Sequence, residues 1–270
     1  MPEVTEHAPG TAAWAELTTP NVAASKDFYR RVFGWYSYTA AVSPLGDYEI
    51  FTLGGIQGPE VTGATQLADE AEPGSWTCYF RTDDIPGTLD VVQAAGGRVT
   101  VEPTDYADLG RMTLCSDSQG ADFALWLPYN LKGAGVVDEP GAMCWVELAC
   151  PDVQEARRFY GKVFGWTPVD RAYYSPDYTT WKIDNWSVAG MVPLKEWWPG
   201  DFPPHWIPYF WVSDCDAVTA RAADLGAQIY VPPVDIGPGR FAAMSDPTGA
   251  RLAVITPSPG DRLLLGSRRL

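Results

Sequence analysis

The spacing of apolar and polar residues changes period along this chain, and each change marks an element. Residues 12–19 (AAWAELTT) alternate as a half-buried strand does. Asn21 then offers a side-chain cap to a helix running to about Phe33. Its apolar face is Val22, Phe28, Tyr29, Val32 and Phe33, and Gly34 stops it. Runs punctuated by Gly, Pro and Asp predict strands near 47–54 and 61–67. A strand at 76–82 leads through Asp83-Asp84 into a helix ending at Gly96-Gly97, and strands follow near 98–101, 111–115 and 121–127. The succession then begins again. A strand from Trp145 precedes a helix with a capping-box pattern, Asp152 and Glu155. Strands are predicted near 178–184, 187–193 and 206–212, then a helix ending at Leu225-Gly226, then strands near 228–231, 240–244 and 250–255.

The repetition is literal. Residues 14–35 (WAELTTPNVAASKDFYRRVFGW) and 145–166 (WVELACPDVQEARRFYGKVFGW) are identical at 11 of 22 positions without a gap, 131 residues apart. Composition does not produce such a register, so the chain is a tandem duplication. Tyr79-Phe80 matches Tyr209-Phe210, Gly110-Arg111 matches Gly239-Arg240, and the turn at Asp117–Gly120 matches Asp246–Gly249. The expected organisation is a first domain at 10–130, a linker at 131–141, a second domain at 142–257 and a tail at 258–270.

The order P-[ND]-V…FY…VFGW, then D-x-x-G-A before a last strand, twice, resembles the vicinal oxygen chelate superfamily of glyoxalases, bleomycin-resistance proteins and extradiol dioxygenases. Within it the chain looks most like the two-domain glyoxalase-like proteins of actinobacteria. The resemblance spans roughly 12–256. It implies an α+β fold of tandem glyoxalase-like domains, four βαβββ units whose curled mixed sheets form ligand-holding cups. It does not imply one reaction, because function lives in the site.

In metal-dependent members the ligands are His or Glu on cup-facing strand positions. Carried across, those positions fall on Trp14 and Trp145, near Thr77 and Ile207, and on Ala124 and Ala253. None of these side chains is a ligand for a divalent ion, and the chain has two histidines, His7 in an expected tail and His205 beside a Pro-Pro loop. A catalytic Zn, Fe or Ni site needs about three protein ligands. The expectation is therefore a protein without a metal ligand set and without a cofactor.

The same resemblance puts Trp14, Glu16 and Thr18 on the first cup, with Thr77, Tyr79, Arg81, Asp122, Ala124 and Trp126. The second cup receives Trp145, Glu147, Tyr209, Trp211, Arg251, Ala253 and Ile255. Glu16 and Glu147 have two readings. Each is a brace paired with Arg81, Arg111, Arg240 or Arg251, or each is a general base whose pKa is raised by aromatic, water-poor walls. Tyr79, Tyr209 or an arginine would then be the electrophile. Six tryptophans (181, 186, 197, 198, 206 and 211) crowd the second domain, and Trp197-Trp198 in EWWPGDFPPHW suggests an aromatic lid.

Bulk properties narrow the partners. A formal charge of −15 argues against nucleic acid and anionic membranes. No apolar run reaches spanning length, and MPEVTEHAPG lacks the apolar core of a signal peptide. Five cysteines without a CxxC pair suggest reduced thiols in a cytoplasmic protein, expected as a monomer or homodimer. The first functional expectation is capture, or simple acid/base transformation, of a flat hydrophobic small molecule, aromatic or polycyclic, in resistance, detoxification or secondary metabolism. The rivals are a metal-dependent glyoxalase-like lyase or dioxygenase, and a scaffold with degenerate cups.

Overall fold

The structure, a computed structural model, describes residues 4–44, 46–173, 178–194 and 202–259. The first domain runs β1 (Ala12–Thr19), α1 (Val22–Phe33), β2 (Tyr36–Val42), β3 (Gly46–Thr52), β4 (Glu60–Gln66), then β5 (Ser75–Arg81), α2 (Ile85–Ala94), β6 (Arg98–Tyr106), β7 (Gly110–Ser116) and β8 (Asp122–Pro128). The second runs β9 (Met143–Cys150), α3 (Val153–Phe164), β10 (Thr167–Arg171), β11 (Tyr178–Ile183), β12 (Trp186–Pro193), then β13 (His205–Trp211), α4 (Cys215–Asp224), β14 (Gln228–Ile236), β15 (Gly239–Ser245) and β16 (Arg251–Pro257). These are four βαβββ units. Each domain forms one eight-stranded mixed sheet, in the orders β2-β3-β4-β1-β5-β8-β7-β6 and β10-β11-β12-β9-β13-β16-β15-β14.

The helix signals act as read. Asn21 accepts from Ala24 N at 2.9 Å, and Gly34 closes α1 at φ 76°, a conformation glycine adopts without strain. Asp152 accepts from Gln154 N and Glu155 N, both at 2.9 Å. The reciprocal half of the capping box is absent. Glu155 turns to Arg158 and Ser118, and Asp152 N donates to the Gln119 side chain of the other domain. β2 and β10 escaped the period reading because they are outer edges, mostly exposed, where no buried face enforces alternation. The outer edges β6 and β14 extend well past the predicted 98–101 and 228–231 through register shifts.

The repeated motif proves to be the joint between the domains. The backs of the sheets meet with β5 against β13, where Phe80 packs on Trp206 (5.0 Å) and Trp76 on Phe210 (5.5 Å). Tyr29 of the first domain donates to Asp246 of the second at 2.8 Å, and Tyr160 of the second donates to Asp117 of the first at 3.0 Å. Each aspartate also accepts backbone N–H groups of its own D-x-x-G-A turn. Trp35 Nε1 donates to Gly141 O at 2.7 Å, and Trp166 Nε1 to Gly10 O at 2.9 Å. The FY and VFGW segments thus clasp the partner domain reciprocally.

His7, expected in a tail, is 2% exposed. Its Nε2 lies 3.0 Å from Ala134 O, and burial holds its pKa below the ordinary value. Backbone bonds from Val4 to Gly135 and from Ala134 to Ala13 tie residues 4–9 and 132–135 onto the first domain. All five cysteines are free and buried. Among the described residues no helix is long and apolar enough to cross a membrane.

Candidate functional site

The free face of each sheet carries hydrogen-bonded aromatic side chains beside one carboxylate. In the first cup Trp14 Nε1 donates to the Tyr48 hydroxyl at 3.0 Å, and that hydroxyl donates to Glu16 Oε2 at 2.9 Å. Tyr79 stands close enough to lower the pKa of the same carboxylate, and the Thr65 hydroxyl donates to its other oxygen at 3.4 Å. In the second cup Trp145 Nε1 donates to the Tyr178 hydroxyl at 3.0 Å, and Tyr209 donates to Glu147 Oε1 at 2.8 Å. Strand register builds this. Trp14 pairs Tyr79 and Tyr79 pairs Ala124; Trp145 pairs Tyr209 and Tyr209 pairs Ala253. Tyr79 and Tyr209 thus stand level with Trp14 and Trp145, while Thr77 and Ile207, near which the second-unit ligand position was expected, pair Glu16 and Glu147.

Glycine makes room for the tyrosines. Gly63 pairs Glu16 and Gly190 pairs Glu147 on the neighbouring strand. A Cβ on Gly63 would meet the Tyr48 oxygen at 2.0 Å, and one on Gly190 the Tyr178 oxygen at 2.0 Å. Tyr48, Tyr178, Gly63 and Gly190 were not singled out from sequence. Their signal was the repeat itself, since Tyr48 and Tyr178 stand at the offset that relates Tyr79 to Tyr209.

The first cup is bounded by Trp14, Glu16, Tyr48, Tyr79, Tyr106 and Trp126, with Val42, Leu109 and Leu131. The cavity is about 20 Å³, which is room for about one water. Glu16 is reached through that space and is half-buried. Burial raises its pKa, and the bonds from Tyr48, Tyr79 and Thr65 oppose the rise. Tyr106 leans over the site with its phenol pushed up to about 12, first by burial and then by Glu16. At the matching strand end in the second domain stands Ile236, smaller and without a hydroxyl.

A raised carboxyl pKa fixes a sign. Between its ordinary pKa and its higher folded value, Glu16 keeps a proton that the unfolded chain has lost, so stability falls as pH rises through that window. Glu16→Gln removes the dependence. Melting temperatures across about pH 4 to 7 should show Glu16→Gln gaining on the wild type as pH rises; a constant difference would contradict the shift.

The other candidates distribute as follows. Trp126 lines the first cup and donates Nε1 to Leu131 O at 3.0 Å. Arg81 does not reach Glu16; its guanidinium binds Asp83 at 2.8 Å and Glu6 at 3.3 Å. Arg111 and Arg240 bind Asp105, and Asp216 with Asp235. Among the described residues the partners of Glu16 are the Tyr48 and Thr65 hydroxyls and not an arginine. Trp211 is half-buried on the second cup, where Trp145, Tyr209, Phe241, Ala253 and Ile255 form one cluster. Trp181 and Trp206 belong to the back of the sheet, with Tyr160 and Trp166, and Trp186 is half exposed at a turn. Two of the six tryptophans, Trp181 and Trp206, are thus core and joint. Trp197 and Trp198, the expected lid, lie outside the described residues.

Each cup floor offers one carboxylate among phenols and indoles. Among the described residues no three His, Cys, Asp or Glu side chains converge. The donors present do not fit a facial metal site, which takes about three such ligands.

Fold and sequence comparison agree on the class. Residues 11–125 and 142–254 match the family model of the Glyoxalase/Bleomycin resistance protein/Dioxygenase superfamily, and the chain belongs to that superfamily. It is 36% identical to the anthracycline biosynthesis protein DauV of Streptomyces sp. (strain C5), across 93% of this chain and 95% of that one. It is 35% identical to CFP32, described as a candidate glyoxylase, of Mycobacterium tuberculosis (strain CDC 1551 / Oshkosh), across 96% and 99%. The fold is similar to that of the Mn(II)-bound glyoxalase of Novosphingobium aromaticivorans, with a TM-score of 0.61 at 16% identity over 94% of this chain and 89% of that one.

Proposed function

We propose that this protein binds a flat, largely apolar aromatic molecule without a resident metal, in secondary metabolism or detoxification. The observation that carries the reading is the set of hydrogen-bonded tryptophan, tyrosine and glutamate side chains on each cup floor, on strands where the family resemblance implies metal ligands. Indole and phenol walls give a planar ligand wide contact at small entropic cost. The buried carboxylate gives it one hydrogen-bond acceptor or base, suited to a hydroxyl or amine on the ligand.

The second cup is the main site in this reading. The first has room for about one water and is overhung by Tyr106, whereas the second carries Ile236 there and a half-buried Trp211. The name of DauV favours the same class, since anthracyclines are flat polycyclic aromatics. Capture alone satisfies the geometry. Proton transfer by Glu147 is the enzymatic version of the same site.

Elemental analysis tests the metal-free part. The purified protein should hold far less than about one equivalent of Zn, Ni, Mn or Fe per chain. A tightly held stoichiometric metal would contradict it and favour a lyase or dioxygenase.

A further inference from the structure

The two cups share their glutamate, tyrosines and tryptophan but differ one step further along the floor. In the second domain Glu147 pairs Ile207 on β13, and the parallel register Tyr209–Ala253 puts Arg251 of β16 level with Ile207. Glu147, Ile207 and Arg251 therefore form one row across the sheet. Ala253 and Ile255, which share Arg251's side of β16, belong to the cup cluster, so the row faces the cup. Two strand spacings separate its ends, about 10 Å between the glutamate and arginine Cα atoms. In the first domain the corresponding row is Glu16, Thr77 and Asp122, and Asp122 accepts from Ser116. The charge at the far end of the row is inverted between the cups.

Arg251 is not part of the frame. It is half-buried, its Nε is buried without an acceptor, and among the described residues no carboxylate lies within ion-pair distance. Arg240 on the adjacent strand holds two aspartates. The Arg251 guanidinium instead lies 4.1 Å from the centre of the Phe202 ring, so one face of a binding slot is already aromatic. His205, on the cup side of β13, has its pKa lowered to about 4, first by burial and with Arg251 contributing, and is neutral at physiological pH. Among the described residues Tyr230 is the other titratable group that acts on Arg251. A partly desolvated guanidinium with no carboxylate is costly to keep unless something else pairs it, and a planar fork suits a carboxylate or another anionic oxygen pair.

We infer that the second cup selects aromatic ligands bearing an anionic oxygen group, which Arg251 pairs while Glu147 and Tyr209 hold a hydroxyl at the opposite end of the ring system. The inference rests on the proposed binding role of that cup and adds the polarity and span of its ligand. Ile207 between the two charges faces the ring system, and the row's span matches two fused rings better than one.

Isothermal titration calorimetry decides it with a hydroxynaphthoic acid whose hydroxyl and carboxyl groups sit at opposite ends, beside its methyl ester. The wild type should bind the acid at least about tenfold tighter than the ester. In Arg251→Gln the acid should lose its advantage and the two affinities should converge, since the anionic group then has no guanidinium to pair. Equal binding of acid and ester by the wild type, or a preference surviving in Arg251→Gln, overturns this inference and leaves aromatic binding standing. If neither compound binds, the binding role itself falls, and the inference with it.

Discussion

Trp166→Ala is expected to cost about 3–5 kcal/mol, the range for truncating a buried tryptophan. Trp166 is 2% exposed and donates to Gly10 O across the domain joint. Its ring stacks on Tyr160 at 5.6 Å and packs on Trp181 at 5.2 Å and on Phe80 of the other domain at 5.5 Å. Alanine would open a cavity in the joint and leave the Gly10 carbonyl without its donor. Trp35→Ala should behave alike, because Trp35 repeats the arrangement against Gly141 and Phe210. A core shared by both sheets predicts that either change lowers the urea midpoint of the whole chain in a single transition. A loss below about 1 kcal/mol, or separate unfolding of one domain, would show that the clasp does not unite the halves.

The second large effect belongs to Glu147, which is 3% exposed and accepts from Tyr209. Glutamine keeps the shape and an acceptor for the tyrosine while removing the charge. Glu147→Gln should weaken ligand binding or turnover tenfold or more, about 1.4 kcal/mol, with a melting temperature near the wild type. Glu16→Gln should be milder for function, its cup having room for about one water. The opposite pattern, with clear loss of melting temperature for both changes and binding intact, would make the two glutamates braces of the cup.

The duplication and the order of elements were legible because strong periods, caps and an ungapped repeat all pointed to one fold. The purpose of the repeat was not. Tyr29, Tyr160, Trp35 and Trp166 recur because they clasp opposite domains, a role that sequence spacing within one copy does not express. Alternation put Trp14, Glu16 and Tyr79 on one face, and register brought them together with Tyr48, a residue 32 positions from Glu16. Arg81 has the cup-side parity, but at the end of β5 its long side chain reaches Asp83 and Glu6. Trp206 has the opposite parity to Tyr209 and Trp211, so its place behind the sheet was implicit in the alternation. Composition, which counted twelve tryptophans together, hid it.

The most direct test of the binding account is a titration of chelator-treated protein with a dihydroxyanthraquinone, followed by tryptophan quenching and calorimetry. The account predicts saturable binding of one ligand per chain, weakened about tenfold or more by Glu147→Gln and by Trp145→Ala and little changed by Trp14→Ala. Absence of saturable binding, or binding that appears only after Zn, Ni, Mn or Fe is restored, would contradict it.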